Sequence, residues 1–166
     1  MNILTMTTPD MENGNGCRVT LWFAGCGHHC EGCQNQHTWN YEQGVLLSND
    51  DVKMKIFTEV DHDYIQGVTL SGGDPLMQTD DSLEELKKFI IEFKGLYPSK
   101  DIWIYSGYTF EEICASPKKK EILELCDVLV DGPYICSLNN DDLPFRGSEN
   151  QRIIYLKDAL ENAHLG

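Results

Sequence analysis

Cys26, Cys30 and Cys33 put three thiols within eight residues, in a loop (Cys26-Gly27-His28-His29-Cys30-Glu31-Gly32-Cys33) with little apolar surface to bury. Thiols spaced this closely can hold a zinc ion, close one disulfide or carry an iron–sulfur cluster. Zinc would need a fourth ligand to complete its tetrahedron, and Cys17, His28, His29 and His37 are at hand. The chain has seven cysteines, an odd number that cannot all pair internally and too few for a disulfide scaffold at this length. In a reducing compartment such thiols serve as ligands, nucleophiles or small core residues. Cys114, Cys126 and Cys136, in or beside apolar segments, read as core, and Cys17 as local packing. His28 and His29 read as solvated loop residues.

A second group lies at Ser71-Gly72-Gly73-Asp74-Pro75. Two adjacent glycines let the backbone come close to a ligand and present its polar groups. A side chain at Gly73 is therefore expected to weaken ligand binding while leaving the cysteine loop intact.

The elements that must position these groups alternate. Strand-like runs rich in Val, Ile, Leu and aromatics cover 18–24, 67–71, 101–106, 127–131 and 152–156. Between them, Ser48 with Asp51 three positions later suggests a capped helix start ahead of Val52, Ile56 and Val60. Leu83, Leu86, Phe89, Ile90 and Phe93 form an apolar stripe of helical period over 81–96. A third helix is expected near 109–125, broken at Pro117. Such alternation predicts mostly parallel strands joined by right-handed crossovers, an α/β layer or partial barrel. Functional loops then leave the carboxyl ends of strands. The cysteine loop, the glycine pair, Ser106-Gly107-Tyr108 and Asp131-Gly132-Pro133-Tyr134 all fall there, so they are expected to meet at one rim. Trp103, Tyr105 and Tyr108 read as packing, and Asp131 as a rim or turn residue. Arg146, Gln151 and Arg152 precede the last strand, so the rim argument does not reach them.

At 166 residues, about 1.1 domains of roughly 150 residues, one domain over 1–166 is expected. Lys plus Arg number 13 against 27 Asp plus Glu, a net charge of −14, which repels a phosphate backbone. The one basic run, Lys118-Lys119-Lys120, falls on a predicted helix as a solvated face. Nucleic acid is excluded as a partner on these grounds. The first ten residues lack a basic start and an apolar stretch, and no 18-residue apolar run occurs, so neither a signal peptide nor a membrane span is expected. The expected location is the cytoplasm.

The three-cysteine loop after the first strand, followed by the glycine pair after the next, resembles the radical S-adenosylmethionine enzymes. The resemblance narrows to the activating proteins of anaerobic ribonucleoside-triphosphate reductase. Asn13-Gly14-Asn15-Gly16-Cys17-Arg18 and Cys33-Gln34-Asn35-Gln36-His37-Thr38-Trp39 carry it. So do 101–108, Val128-Leu129-Val130-Asp131-Gly132 and Arg146-Gly147-Ser148-Glu149-Asn150-Gln151.

The resemblance implies an open partial (β/α) barrel, a [4Fe–4S] cluster on Cys26, Cys30 and Cys33 with one iron left free, and S-adenosylmethionine as cofactor. Gly32, Cys33 and Gln34 would flank that cofactor, and Gly72, Gly73 and Asp74 would hold its methionyl end. Gly32 stands where many radical enzymes carry an aromatic residue. The implied activity is reductive cleavage of S-adenosylmethionine to a 5′-deoxyadenosyl radical, which generates a glycyl radical on the large reductase chain. A low-potential electron donor such as flavodoxin would supply the electron, and no catalytic acid–base pair is required. A complete barrel of eight units needs about 250 residues, so one side of the site is expected to be open to a large partner.

Overall fold

The computed structural model describes residues 1–165, with side chains described through 162. In chain order the strands are β1 (Asn2–Asp10), β2 (Arg18–Phe23), β3 (Val45–Leu46), β4 (Gly67–Gly72), β5 (Asp101–Tyr105), β6 (Val128–Asp131) and β7 (Arg152–Tyr155). The helices are α1 (Asp50–Val60), α2 (Asp80–Leu96), α3 (Phe110–Cys114), α4 (Pro117–Leu123) and α5 (Leu156–Leu165). The strands form one sheet in the order β3-β1-β2-β4-β5-β6-β7. β2, β4, β5 and β6 run parallel; β1 against β2, β1 against β3 and β6 against β7 are antiparallel. The end strands β3 and β7 do not pair, so the sheet is open.

Side chains alternate across each strand, and the two faces of this sheet differ in chemistry. Val19, Leu21 and Phe23 of β2, Val68 and Leu70 of β4, Ile102 and Ile104 of β5 and Leu129 of β6 join one apolar core. That core takes in Ile56 and Val60 of α1, the expected stripe of α2, Ile113 of α3 and Ile122 and Leu123 of α4. The opposite face carries Arg18, Thr20, Thr69 and Ser71, all buried. Arg18 is held there by bonds to Thr69 Oγ1 at 2.7 Å and the Val68 carbonyl at 2.9 Å, with a carboxylate oxygen of Asp101 2.7 Å from its guanidinium.

Three expectations are corrected. β1 had no strand signal, because Thr, Pro and Asp dilute its apolar alternation; it is recruited by pairing with β2. β7 is antiparallel because 132–151 holds only a short 3-10 turn (Cys136–Leu138) and no crossover helix. Asn49 rather than Ser48 caps α1, its side chain accepting from the Asp51 and Val52 amides. The third helix breaks before Pro117 as expected, into α3 and α4, with Pro117 opening the latter at its first turn.

Candidate cofactor site at the strand ends

The loops leaving β2, β4, β5 and β6 converge as the alternation predicts. One pocket is lined by Cys26, Cys30 and Cys33 from the first loop and Ser71, Gly72 and Gly73 from the second. Ser106 and Gly107 complete it from the third and Gly132 from the fourth. The cysteine loop is closed on itself at its base, where the Gly25 and Cys26 amides donate to the Thr38 and Trp39 carbonyls. His29, at φ +48°, stacks on the Trp39 ring with centroids 4.3 Å apart. Thr38 is fully buried and donates to the Asn35 carbonyl at 2.6 Å. These contacts explain why Thr38 and Trp39 follow the cysteines: they anchor the returning limb.

Asp74 does not line the pocket but ties its walls together from behind. Its side chain is 0% exposed and its carboxylate accepts from the Leu76 amide at 2.9 Å, the Ser106 hydroxyl at 3.0 Å and the Gly107 amide at 2.9 Å. His28 Nε2 lies 2.7 Å from Oδ2, the same oxygen that accepts from the Gly107 amide. One carboxylate thus joins the loops after β2, β4 and β5. This corrects the reading of His28 as solvated: its side chain is only 16% exposed, and its ring meets Tyr108 edge-on at 4.7 Å.

The glycines serve packing more than ligand approach. A Cβ on Gly73 would sit 2.3 Å from the Gly25 carbonyl oxygen, and one on Gly72, at φ +107°, would strike the Phe23 backbone. A side chain at Gly73 would therefore displace the base of the cysteine loop, contrary to the expectation that the loop stays intact. The Gly73 and Asp74 amides are engaged by the Phe23 and Gly25 carbonyls. What this segment can offer a ligand's amine is carbonyl oxygen.

A second cleft of about 320 Å³ adjoins the first and shares Cys33, Asn35, Ser71, Tyr105, Tyr134 and Gln151 with it. Gln34 lines this outer cleft, as do Arg146 and Gln151, which the rim argument had left out. Their signal in sequence was the matched block 146–151; strand order gave none, because that segment folds back over the strand ends. Gln151 fixes the fold-back, accepting from the Gly147 and Ser148 amides and donating to the Gly132 carbonyl. Gly32, at φ +73°, lines neither cleft and faces Cys136 and the Tyr134 ring. Cys136 is exposed rather than core, because it sits in the 3-10 turn beside the cysteine loop; Cys126 is buried and Cys114 and Cys17 pack against the core. Asp131 is buried and bound by Arg152, which also pairs with Glu111, so it fastens β7 and α3. Trp103 packs against Val128 and Val130.

Burial pushes the Cys26 thiol up to about 11; His28 and His29 backbone N–H groups oppose the rise, while Asp74 and Cys30 add to it. A metal must therefore displace a firmly held proton there. Burial also raises the Tyr105 phenol, which stays protonated and donates to the Phe145 carbonyl at 2.8 Å. Among the described residues no three His, Cys, Asp or Glu side chains gather about one point as a single ion would need. The donor set nevertheless fits an iron–sulfur cluster. Three soft sulfurs, all free thiols, line a pocket whose remaining lining includes glycine backbone, the Ser71 and Ser106 hydroxyls, the Asn35 and Gln151 amides and the Tyr105 and Tyr134 rings, with no carboxylate among the described residues that line it.

An open α/β sheet with three unpaired thiols at its strand ends is the frame of an iron–sulfur protein, and residues 12–154 match the family of the 4Fe-4S single cluster domain. The chain is 44% identical over 144 residues to the anaerobic ribonucleoside-triphosphate reductase-activating protein of Enterobacteria phage T4, covering 87% of each. It is 39% identical over 155 residues to that of Haemophilus influenzae (strain ATCC 51907 / DSM 11121 / KW20 / Rd), covering 92% of this chain and 97% of the relative. Against that of Escherichia coli (strain K12) it is 35% identical over 150 residues, covering 89% and 94%. The chain belongs to this family of single-cluster reductase-activating proteins. No helix of the described residues is long and apolar enough to cross a membrane.

Proposed function

We propose that this protein activates an anaerobic ribonucleoside-triphosphate reductase by generating a glycyl radical on its large chain. Residues 1–166 would then be one radical S-adenosylmethionine domain, an open partial (β/α) barrel, acting in the cytoplasm. The observation that carries the reading is the convergence of Cys26, Cys30 and Cys33 with the Ser71-Gly72-Gly73 segment in one pocket. The names of the relatives support the target.

Cys26, Cys30 and Cys33 would hold a [4Fe–4S] cluster as thiolates, and because only three side chains bind, one iron is left for a small ligand. When bound, the cluster and S-adenosylmethionine supply a reductive cleavage that yields a 5′-deoxyadenosyl radical able to take a hydrogen atom from a glycine α-carbon. The chain's own residues orient and shield. Asp74, through His28, Ser106 and Gly107, fixes the cysteine loop relative to the β4 and β5 ends. Carbonyl oxygens of 72–73 would accept from the methionyl amine, and Cys33 and Gln34, which line the clefts, would flank the rest of the cofactor, with Gly32 shaping the turn between the cysteines from outside both clefts. No side chain needs to move a proton. The open sheet leaves one side of the site to be covered by the reductase, and a low-potential carrier such as flavodoxin would supply the electron.

Cys26→Ala, Cys30→Ala and Cys33→Ala should each abolish iron binding and S-adenosylmethionine cleavage, whereas Cys17→Ala keeps the brown cluster. A colourless wild type that binds zinc, or a Cys17→Ala protein bleached as fully as Cys30→Ala, rejects the ligand assignment. Mixed with reductase, S-adenosylmethionine and a reductant, the protein should give a glycyl doublet in electron paramagnetic resonance. Deuterium on the target glycine's α-carbon should collapse that doublet.

A further inference from the structure

Arg146 projects into the outer cleft with its donors partly unused. Its Nη1 donates to the Gln151 carbonyl at 3.2 Å, while its Nε is buried and has no acceptor among the described residues. No described carboxylate lies within 4.0 Å of the guanidinium. A buried donor without a partner is unfavourable, and the fold holds Arg146 Nε in that position by construction. The preceding residue, Phe145, is held at φ +62°, a region that bulky side chains avoid, by its ring against Trp103 and by the Tyr105 hydroxyl on its carbonyl. The chain is strained at 145 and stapled at 151, and Arg146 between them lines the cleft.

Charge decides what it meets. Glu12 and Asp141 line the same cleft, two carboxylates against one guanidinium, so an anionic ligand is disfavoured and a neutral acceptor is not. Asn13, Gln34 and Asn35 supply amides along the wall, the side-chain chemistry that pairs with both N–H and C=O of a peptide. Arg146 is absent from the pocket that holds the thiols and glycines. We propose that the outer cleft seats the target's glycine-bearing segment as an extended main chain, and that the Arg146 guanidinium donates to one of its backbone carbonyls through Nη2, which has no hydrogen-bond partner among the described residues and, unlike Nε, is not sealed from the cleft. This rests on the proposed function and names what binds on its open side. Arg146 would then be a substrate-positioning residue.

The test uses the whole protein with its cluster, the intact reductase and S-adenosylmethionine. Losing one charged donor should raise the reductase concentration at half-maximal glycyl-radical formation about tenfold in Arg146→Gln. Affinity for S-adenosylmethionine by calorimetry should move less than about twofold. Arg146→Lys, which keeps the charge without the planar guanidinium, should fall between. Iron content and melting temperature are measured for each; if Arg146→Gln folds poorly, Arg146→Lys decides by the same readouts. An unmoved half-maximal concentration overturns the proposal. So does a parallel loss of S-adenosylmethionine affinity, which would assign the guanidinium to the cofactor. If wild type forms no glycyl radical, the proposed function fails and takes this inference with it; a wild-type signal with indifferent variants rejects only the role of Arg146.

Discussion

Asp74 stands behind one wall of the site and Arg146 lines another, and the two are treated oppositely. Around the Asp74 carboxylate, two backbone amides, a hydroxyl and an imidazole are all within bonding distance. Around Arg146, Nε and Nη2 find no acceptor among the described residues. A fully bonded buried carboxylate makes a rigid joint, because every distortion breaks several bonds at once in a medium of low dielectric. An unpaired donor contributes nothing to that rigidity and gains only when a ligand arrives. The wall that carries the thiols is fixed before any ligand binds, and the wall built from 132–151 is left to be completed.

Three substitutions would break or sharpen this contrast. The largest effect should come from Asp74→Ala, which strands donors from three loops and is expected to cost about 3–5 kcal/mol. Urea unfolding measures it, and a loss below about 1 kcal/mol would reduce the carboxylate to one contact among many. Gly73→Ala should cost less, about 1–3 kcal/mol, because its Cβ meets a backbone oxygen that cannot swing aside. A thermal melt unchanged in that variant would mean the β4 end and the base of the cysteine loop are not in close contact. Smallest is Arg146→Gln, expected to change stability by less than about 0.5 kcal/mol; a larger loss by the same urea titration would place Arg146 on the structural side of the comparison.

Spacing made some of the site legible and hid the rest. Cys26, Cys30 and Cys33 are readable because all three thiols lie on one short loop, and Gly72-Gly73 because adjacent glycines after a strand are a local feature. His28 was misread, since nothing near it in sequence marks a partner 46 positions away. Asp74 was read as a ligand-side carboxylate for the same reason: its Ser106 partner is 32 positions on. Arg146 escaped the strand-end argument because 132–151 makes no crossover and turns back over the rim instead. Cys136 looked like core because Ile135 and Leu138 flank it, yet the turn exposes them too.

The sequence by itself determined the α/β class, the loop of three thiols, the glycine pair and the strand ends at which both would lie. All of these follow from periodicity and short-range spacing. Tertiary structure alone decided that Asp74 becomes the joint of three loops, that Gly73 is needed against Gly25, and that Arg146 faces a cleft with Nε unpaired. Those outcomes depend on which strands become neighbours and how close their ends come. That is set by the sheet order, through contacts between residues far apart in the chain.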